Sequence, residues 1–320
     1  MKQLNVVIPG LIWSDIGDYD YLYNQLDIPI LTNLLSKATV SKHQLWYSDF
    51  VYRTISSCSL AKQYAEEINF GGYTSYLVVE PTHLRVDRDR LLIAESELLQ
   101  LSDSEAQEII SSLNEHFAGE IEVRLYRDDL WILGCNFQLD DMQSYPIVDI
   151  VGENIDEFMP TGSARIKLHG LLNEIQMLLF MHPINQQRNE ENLLAINSLW
   201  LWDKRPTTLP FELKDVVSNN SQLGHPVTDL QRDLSIHNVL IWDKAYYPAQ
   251  YRDSFAWVKN IHEIETHLAP LLLALLKAKQ YTQLNIWIPS LRGTSCFQLG
   301  KFDLYKFWRR KTFTELSIES

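Results

Sequence analysis

The sequence predicts an α/β protein whose main core is interrupted by an α+β module. Three observations point there. Short β-rich runs lie near both ends of the chain, at 4–10, 239–242 and 284–288. An amphipathic helix at 261–279, interrupted near Pro270, separates the last two, and alternating strand and helix builds an α/β layer. Between residues 76 and 203 the order changes to strand, helix, hairpin and long helix, as when helices cover one face of a sheet. The core is therefore assigned to 1–75 and 204–320, and the module to 76–203.

Leu4-Asn5-Val6-Val7-Ile8-Pro9-Gly10 is a first strand that stops at Pro-Gly and opens into a loop. Such loops carry chemistry in many α/β proteins. Ser14, Asp15, Asp18 and Asp20 follow, and the simplest role for Asp15 is a loop carboxylate or helix cap. Residues 28–35 read as a helix with Pro29 in its first turn, where a missing amide costs nothing. Residues 43–51, with Trp46 and Tyr47, are expected as a strand. Ser56 and Ser57 sit where a cap would precede the next helix.

Residues 73–79 are β-rich and enter Glu80-Pro81-Thr82-His83-Leu84-Arg85-Val86-Asp87-Arg88-Asp89-Arg90. Arginines alternating with aspartates have two readings. One is ion pairing on an exposed hairpin, worth about 0–1 kcal/mol per pair. The other is a planar-anion site, with the guanidinium forks of Arg85 and Arg88 matched to carboxylate or phosphate. Ser102-x-x-Glu105 is a capping box with a hydrophobic staple from Leu101 to Ala106. Ala106, Ile109, Ile110, Leu113 and Phe117 then form a buried stripe. Residues 121–126 and 130–133 read as a hairpin.

The longest helix spans 163–182. Leu168, Leu171, Leu172, Ile175, Leu178 and Leu179 recur on one face, and Pro183 ends it. It delivers His182, Asn185 and Arg188 to a loop beside a tryptophan-rich strand at 196–202. His182 and Asn185 either cap the orphan carbonyls of the helix or bind a ligand. Asn197 either satisfies backbone in a bend or joins that ligand site. Near the end, Phe302, Leu304, Tyr305, Phe307 and Trp308 precede Arg309, Arg310 and Lys311, which suggests a packed edge element with a solvated end.

Composition narrows the partners. The chain has 320 residues, 46% of them hydrophobic, enough for two cores. A net charge of −13 argues against nucleic acid, whose binding needs phosphate neutralisation. Cys58, Cys135 and Cys296 are few and far apart, which suits a reducing cytosol and a cytoplasmic location. No signal peptide or membrane span is legible, and no membrane partner is expected.

Two motifs carry a resemblance. His182-Pro183-Ile184-Asn185, Arg188 and then Asn197-Ser198-Leu199-Trp200-Leu201-Trp202 resemble the insertion domain of the archaeal-type, cofactor-independent phosphoglycerate mutases. These belong to the alkaline-phosphatase-like superfamily, and Asp203 stands where their pattern has glycine. A bacterial branch, called mutase-like or regulatory, is similar also in HLR-x-DRD at 83–89 and NEIQMLL at 173–179. The resemblance implies an alkaline-phosphatase-like core. It aligns Arg85 with an arginine that binds phosphoglycerate, and Asp87 with an asparagine.

It also implies where chemistry would sit. Asp15 is the carboxylate nearest the family's Asp-Gly metal ligand, whose place is taken by Pro9-Gly10-Leu11-Ile12-Trp13. Ser57 or Ser56 would match the phosphoryl acceptor, a role suited to a helix N-terminus. Asp243 and Asp253 fall in the region of an Asp-Glu-x-Gly-His segment but without its histidine. Ile288-Pro289-Ser290-Leu291-Arg292 replaces an Asp-His. Two-metal phosphoryl transfer needs a dense set of charged ligands, so the expectation is a pseudoenzyme. It would need no cofactor, bind a partner protein or small phosphorylated acid through Arg85, Arg88, His182, Asn185, Arg188 and Asn197, and have a regulatory role. The alternative is an active phosphoglycerate mutase or phosphatase using Mn2+ or Mg2+, with Asp15, Ser57 and Asp243 as its catalytic candidates.

Overall fold

In a computed structural model of the protein, residues 2–13, 19–52, 58–87, 90–94, 96–204, 207–213, 215–220 and 223–319 are described. They fall into two compact units, Met1–Arg53 with Leu209–Ser320, and Thr54–Thr208. The first begins with β1 (Gln3–Val7) and β2 (Thr39–His43). The second holds β3 (Ser75–Thr82), β4 (Leu84–Asp87), β5 (Arg90–Ile93), β6 (Ile121–Arg127), β7 (Leu130–Cys135) and β8 (Ser198–Trp202). The chain then completes the first with β9 (Val216–Ser218), β10 (His225–Pro226), β11 (Val239–Ile241), β12 (Gln283–Ser290) and β13 (Gly293–Gly300).

The first unit is built on a seven-stranded sheet ordered β10-β9-β11-β1-β12-β13-β2. β1 lies between β11 and β12 and is parallel to both. β13 runs antiparallel to both β12 and β2. One apolar cluster, including Leu4, Val6, Trp13, Leu31, Leu240, Trp257, Leu272 and Phe297, fills this unit. The expected strand at 43–51 ends at His43. Tyr47–Val51 is instead a helix, started by Asp49, whose carboxylate accepts the Trp46 amide at 2.7 Å.

The interruption expected near Pro270 takes the form of a change of helix type. Ser254–Glu263 runs through a π-turn, Ile264–Leu268, into Ala269–Lys277. A proline ring clashes with the carbonyl four residues back in an α-helix, and the wider turn just ahead relieves that contact. Glu265, within the π-turn, is buried and accepts the Ile30 and Leu31 amides, each at 2.8 Å. It therefore caps the helix Pro29–Lys37, which has no side-chain cap of its own.

The second unit is a four-stranded antiparallel sheet, β6-β7-β3-β8, with the two-stranded ribbon β4-β5. Leu77, Val79, Leu133, Leu199 and Leu201 pack with helices Asp103–His116 and Arg165–Phe180 in one cluster. The capping box at Ser102 and Glu105 is present. The unit starts earlier than 76 because helix Leu60–Glu67 is tied into it. The Leu60 amide bonds the Lys204 carbonyl at 2.9 Å, the Ala61 amide bonds Asp203 Oδ1 at 3.0 Å, and Tyr64 stacks on Tyr126. That helix is capped by Ser59; Ser56 and Ser57 lie outside the described residues. No helix among the described residues is long and apolar enough to cross a membrane.

Candidate functional site

In the first unit, polar groups gather where the parallel strands end, the usual place for ligand chemistry in an α/β sheet. Asp243 follows β11 and is buried. Its Oδ1 accepts Asn219 Nδ2 at 2.6 Å, and its Oδ2 accepts Tyr47 Oη at 3.2 Å and Asn220 Nδ2 at 3.3 Å. The Asp243 amide donates to Asn219 Oδ1 at 2.8 Å. That bond fixes which way the Asn219 amide faces, so its NH2 must point at the carboxylate. Burial, reinforced by the negative charge of Asp243, pushes the Tyr47 phenol well above its ordinary pKa. Tyr47 thus stays protonated and donates.

The end of β1 is apolar, and the end of β12 is a polar, exposed turn. After β1, Ile8, Pro9, Gly10, Leu11 and Trp13 are all buried, and Leu11 and Trp13 belong to the core cluster. Gly10 has φ +71°, and a Cβ there would lie 2.6 Å from the Ala245 carbonyl oxygen. Its own carbonyl accepts Trp257 Nε1 at 2.8 Å. After β12, Leu291 and Arg292 form a tight turn into β13, braced by Ser290 Oγ on the Gly293 carbonyl at 2.8 Å. Asp253 caps the helix Ser254–Glu263 through the Ala256 amide.

The groups that face the Asp243 carboxylate are hydrogen-bond donors. A divalent ion needs oxygen or nitrogen lone pairs turned towards it, whereas Asp243 faces two amide NH2 groups and a hydroxyl. Among the described residues no three His, Cys, Asp or Glu side chains gather in a metal-binding group. Asp15 and Ser57 lie outside the described residues. Asn219, Asn220 and Tyr47 are the members that sequence reasoning missed. For the two asparagines the signal was present, in a polar Ser-Asn-Asn directly after Val216 and Val217.

In the second unit, the expected loop after the long helix is itself a helix, Pro183–Glu190. His182 caps it, with Nδ1 accepting the Ile184 amide at 3.3 Å and Nε2 2.9 Å from Ser112 Oγ. Burial holds the His182 pKa below its ordinary value, against a pull from Glu108. Asn185 donates to the carbonyls of Leu179 at 2.7 Å and Ile196 at 2.8 Å, and accepts the Ile196 amide at 2.8 Å. It caps the preceding helix and fastens the start of β8 to it.

Arg188 is 1% exposed. It donates to the carbonyls of Leu194 and Leu99 and to Glu105 Oε1, the last at 2.6 Å. Burial works against the Glu105 charge, yet bonds from Ser102 and Arg188 hold its pKa below the usual carboxylate value. Asn197 makes a reciprocal pair with the backbone of Leu84, at 2.7 and 2.9 Å, which ties β4 to β8. All four side chains are thus hydrogen-bonded inside the module, His182 and Asn185 at helix ends, Arg188 to Glu105 and two carbonyls, and Asn197 to the backbone of Leu84.

Arg85 is exposed on the ribbon, where Arg90 pairs with Asp87 at 3.5 Å; Arg88 lies outside the described residues. A further carboxylate escaped the sequence reading. Glu80 in β3 accepts Trp202 Nε1 at 2.6 Å. Burial lifts its pKa to about 7, opposed by the Trp202 bond.

With this geometry in hand, the comparisons with known proteins are limited in extent. No family model matches the chain. Over 106 residues it is 30% identical to the 2,3-bisphosphoglycerate-independent phosphoglycerate mutase of Methanosarcina mazei, covering 32% of this chain and 26% of that one. It is 29% identical over 125 residues to a probable enzyme of the same name from Geobacter sulfurreducens, 32% of this chain and 31% of the other. The chain resembles the cofactor-independent phosphoglycerate mutases. The matched stretch spans only about a quarter to a third of these mutases' length. Among solved structures, the cofactor-independent phosphoglycerate mutase of Thermoplasma acidophilum has a TM-score of 0.36 at 11% identity, covering 99% of this chain and 95% of that one. A protein from Pyrococcus horikoshii has a TM-score of 0.43 at 11% identity, covering 93% and 87%.

Proposed function

We propose that this protein is a degenerate relative of the mutases, built on an alkaline-phosphatase-like core. It does not transfer phosphoryl groups but binds a partner protein or a small phosphorylated acid in a regulatory role. The observation that carries this reading is the state of the strand ends in the first unit. Where the resemblance places a metal-binding Asp-Gly, Pro9, Gly10, Leu11 and Trp13 are buried core. Asp243, the candidate carboxylate still present there, is occupied by Asn219, Asn220 and Tyr47. A buried carboxylate surrounded by neutral donors is an internal brace, and a cation would have to displace three hydrogen bonds to reach it. The module keeps its hydrogen-bonded braces and exposes Arg85, whose fork suits a planar anion.

The second reading, a working mutase or phosphatase with Mn2+ or Mg2+, draws on the position of Asp243 at the carboxyl end of a parallel strand. Metal analysis of the purified protein, with turnover of 3-phosphoglycerate in the presence of manganese, separates the two. The proposal expects no stoichiometric metal and no turnover above a blank. Bound metal together with turnover that Ser57→Ala or Asp243→Asn abolishes would replace it with the second reading.

A further inference from the structure

The aromatic and basic segment near the end of the chain does not pack as its sequence suggested. Phe302 is 72% exposed, Tyr305 75%, Phe307 71% and Trp308 67%. Single exposed apolar residues are ordinary, but four large aromatics are exposed within seven positions here, and Phe307 and Trp308 meet edge to face at 5.2 Å. Between 301 and 311 the same segment carries Lys301, Lys306, Arg309, Arg310 and Lys311 against one acid, Asp303, in a chain whose net charge is −13.

The segment is held in a defined shape. Leu304 packs on the core and Phe313 is buried in it. Asp303 accepts the Gly300 amide at 2.6 Å and pairs with Lys306. Lys37 Nζ reaches the Leu304 carbonyl at 2.8 Å, and Arg309 donates to the Ala38 carbonyl at 3.1 Å. The exposed rings therefore project from an anchored turn. Beside them lies an open cleft of about 630 Å³ with Lys37, Arg309, Arg310 and Lys311 on its wall and Asp27 as its acidic member.

We infer that this face docks on an anionic lipid surface. Tryptophan, tyrosine and phenylalanine seat at the boundary of headgroups and acyl chains, and flanking lysines and arginines meet anionic lipid. Phe307 borders the cleft, and the other three rings stand exposed beside its basic wall, an aromatic and cationic face that suits an anionic bilayer interface. The charge of the rest of the chain is repelled by such a membrane, so contact is confined to this face. The sequence reading looked for a span and found none; a surface contact needs none. This inference stands independently of the regulatory reading above.

The test is sedimentation of the full chain with vesicles of phosphatidylcholine alone or with phosphatidylglycerol. Binding is expected with phosphatidylglycerol only, weakening as salt rises. Arg310→Ser is expected to lower the partition coefficient by about fivefold, from the contribution of one basic residue near a charged surface. Phe307→Ala with Trp308→Ala should lower it further at constant charge. Both positions are exposed, and a melting curve matching the wild type confirms that each variant folds. Equal binding to both vesicle types, or none to either, overturns the inference. So does a concentration-dependent dimer that the aromatic variant abolishes, because the occupant would then be a second copy of this chain.

Discussion

Glu80 offers a quantitative check on the packing of the second unit. It lies on the central strand β3 beside Trp202, and its pKa is raised from 4.5 to about 7 chiefly by burial. In the unfolded chain the same carboxyl titrates near 4.5. Between these values the folded state holds a proton that the unfolded state has lost. Stability is therefore full below about pH 4.5 and falls as pH rises toward 7. At about 1.4 kcal/mol per pKa unit, the loss approaches about 3 kcal/mol once the folded carboxyl is ionised. Glu80→Gln keeps an acceptor for the Trp202 indole and cannot ionise. Urea denaturation of wild type and variant at pH 5 and pH 8 isolates this contribution, because other titrating groups are common to both. Wild type should lose ground to the variant by about 2–3 kcal/mol on going from pH 5 to pH 8. Parallel pH dependence, within about 0.5 kcal/mol, would show that the carboxyl is hydrated and that β3 and β8 do not enclose it.

Three further outcomes follow from named contacts. Arg188→Ala removes the donor to Glu105 Oε1 and to the carbonyls of Leu99 and Leu194, and should cost about 3–5 kcal/mol of unfolding free energy in urea. Glu265→Ala uncaps the Ile30 and Leu31 amides and should cost about 1–2 kcal/mol, with faster hydrogen exchange in helix Pro29–Lys37. Asp243→Ala strands Tyr47, Asn219 and Asn220 and should lower stability by about 2–3 kcal/mol. If the bracing account is right, its melting temperature drops equally with and without manganese; a manganese-dependent difference would contradict it.

Local signals were legible where one element decides the outcome. The capping box at Ser102 and Glu105, the apolar face of helix Arg165–Phe180, the stop at Pro183 and the strand of alternating tryptophans all came from short-range pattern. Trp46 and Tyr47 misled because aromatic residues favour strands in general, whereas the Asp49 carboxylate on the Trp46 amide starts a helix there. The aromatic tail misled in the opposite sense, since nothing in its composition says whether rings face a core or water.

What the sequence by itself determined is the longer helices and most of the core strands, the apolar faces that pair them and the partial resemblance to the mutases. Those depend on spacing along the chain and on backbone preferences within a few residues. Only the tertiary structure decided that Asn185 and Arg188 are braces, that Glu265 caps a helix more than 200 positions away, and that Asp243 meets Tyr47 and two asparagines. Each outcome depends on which distant donor arrives at a buried group. A buried polar atom takes whatever partner the fold brings to it, and the sequence around it does not name that partner.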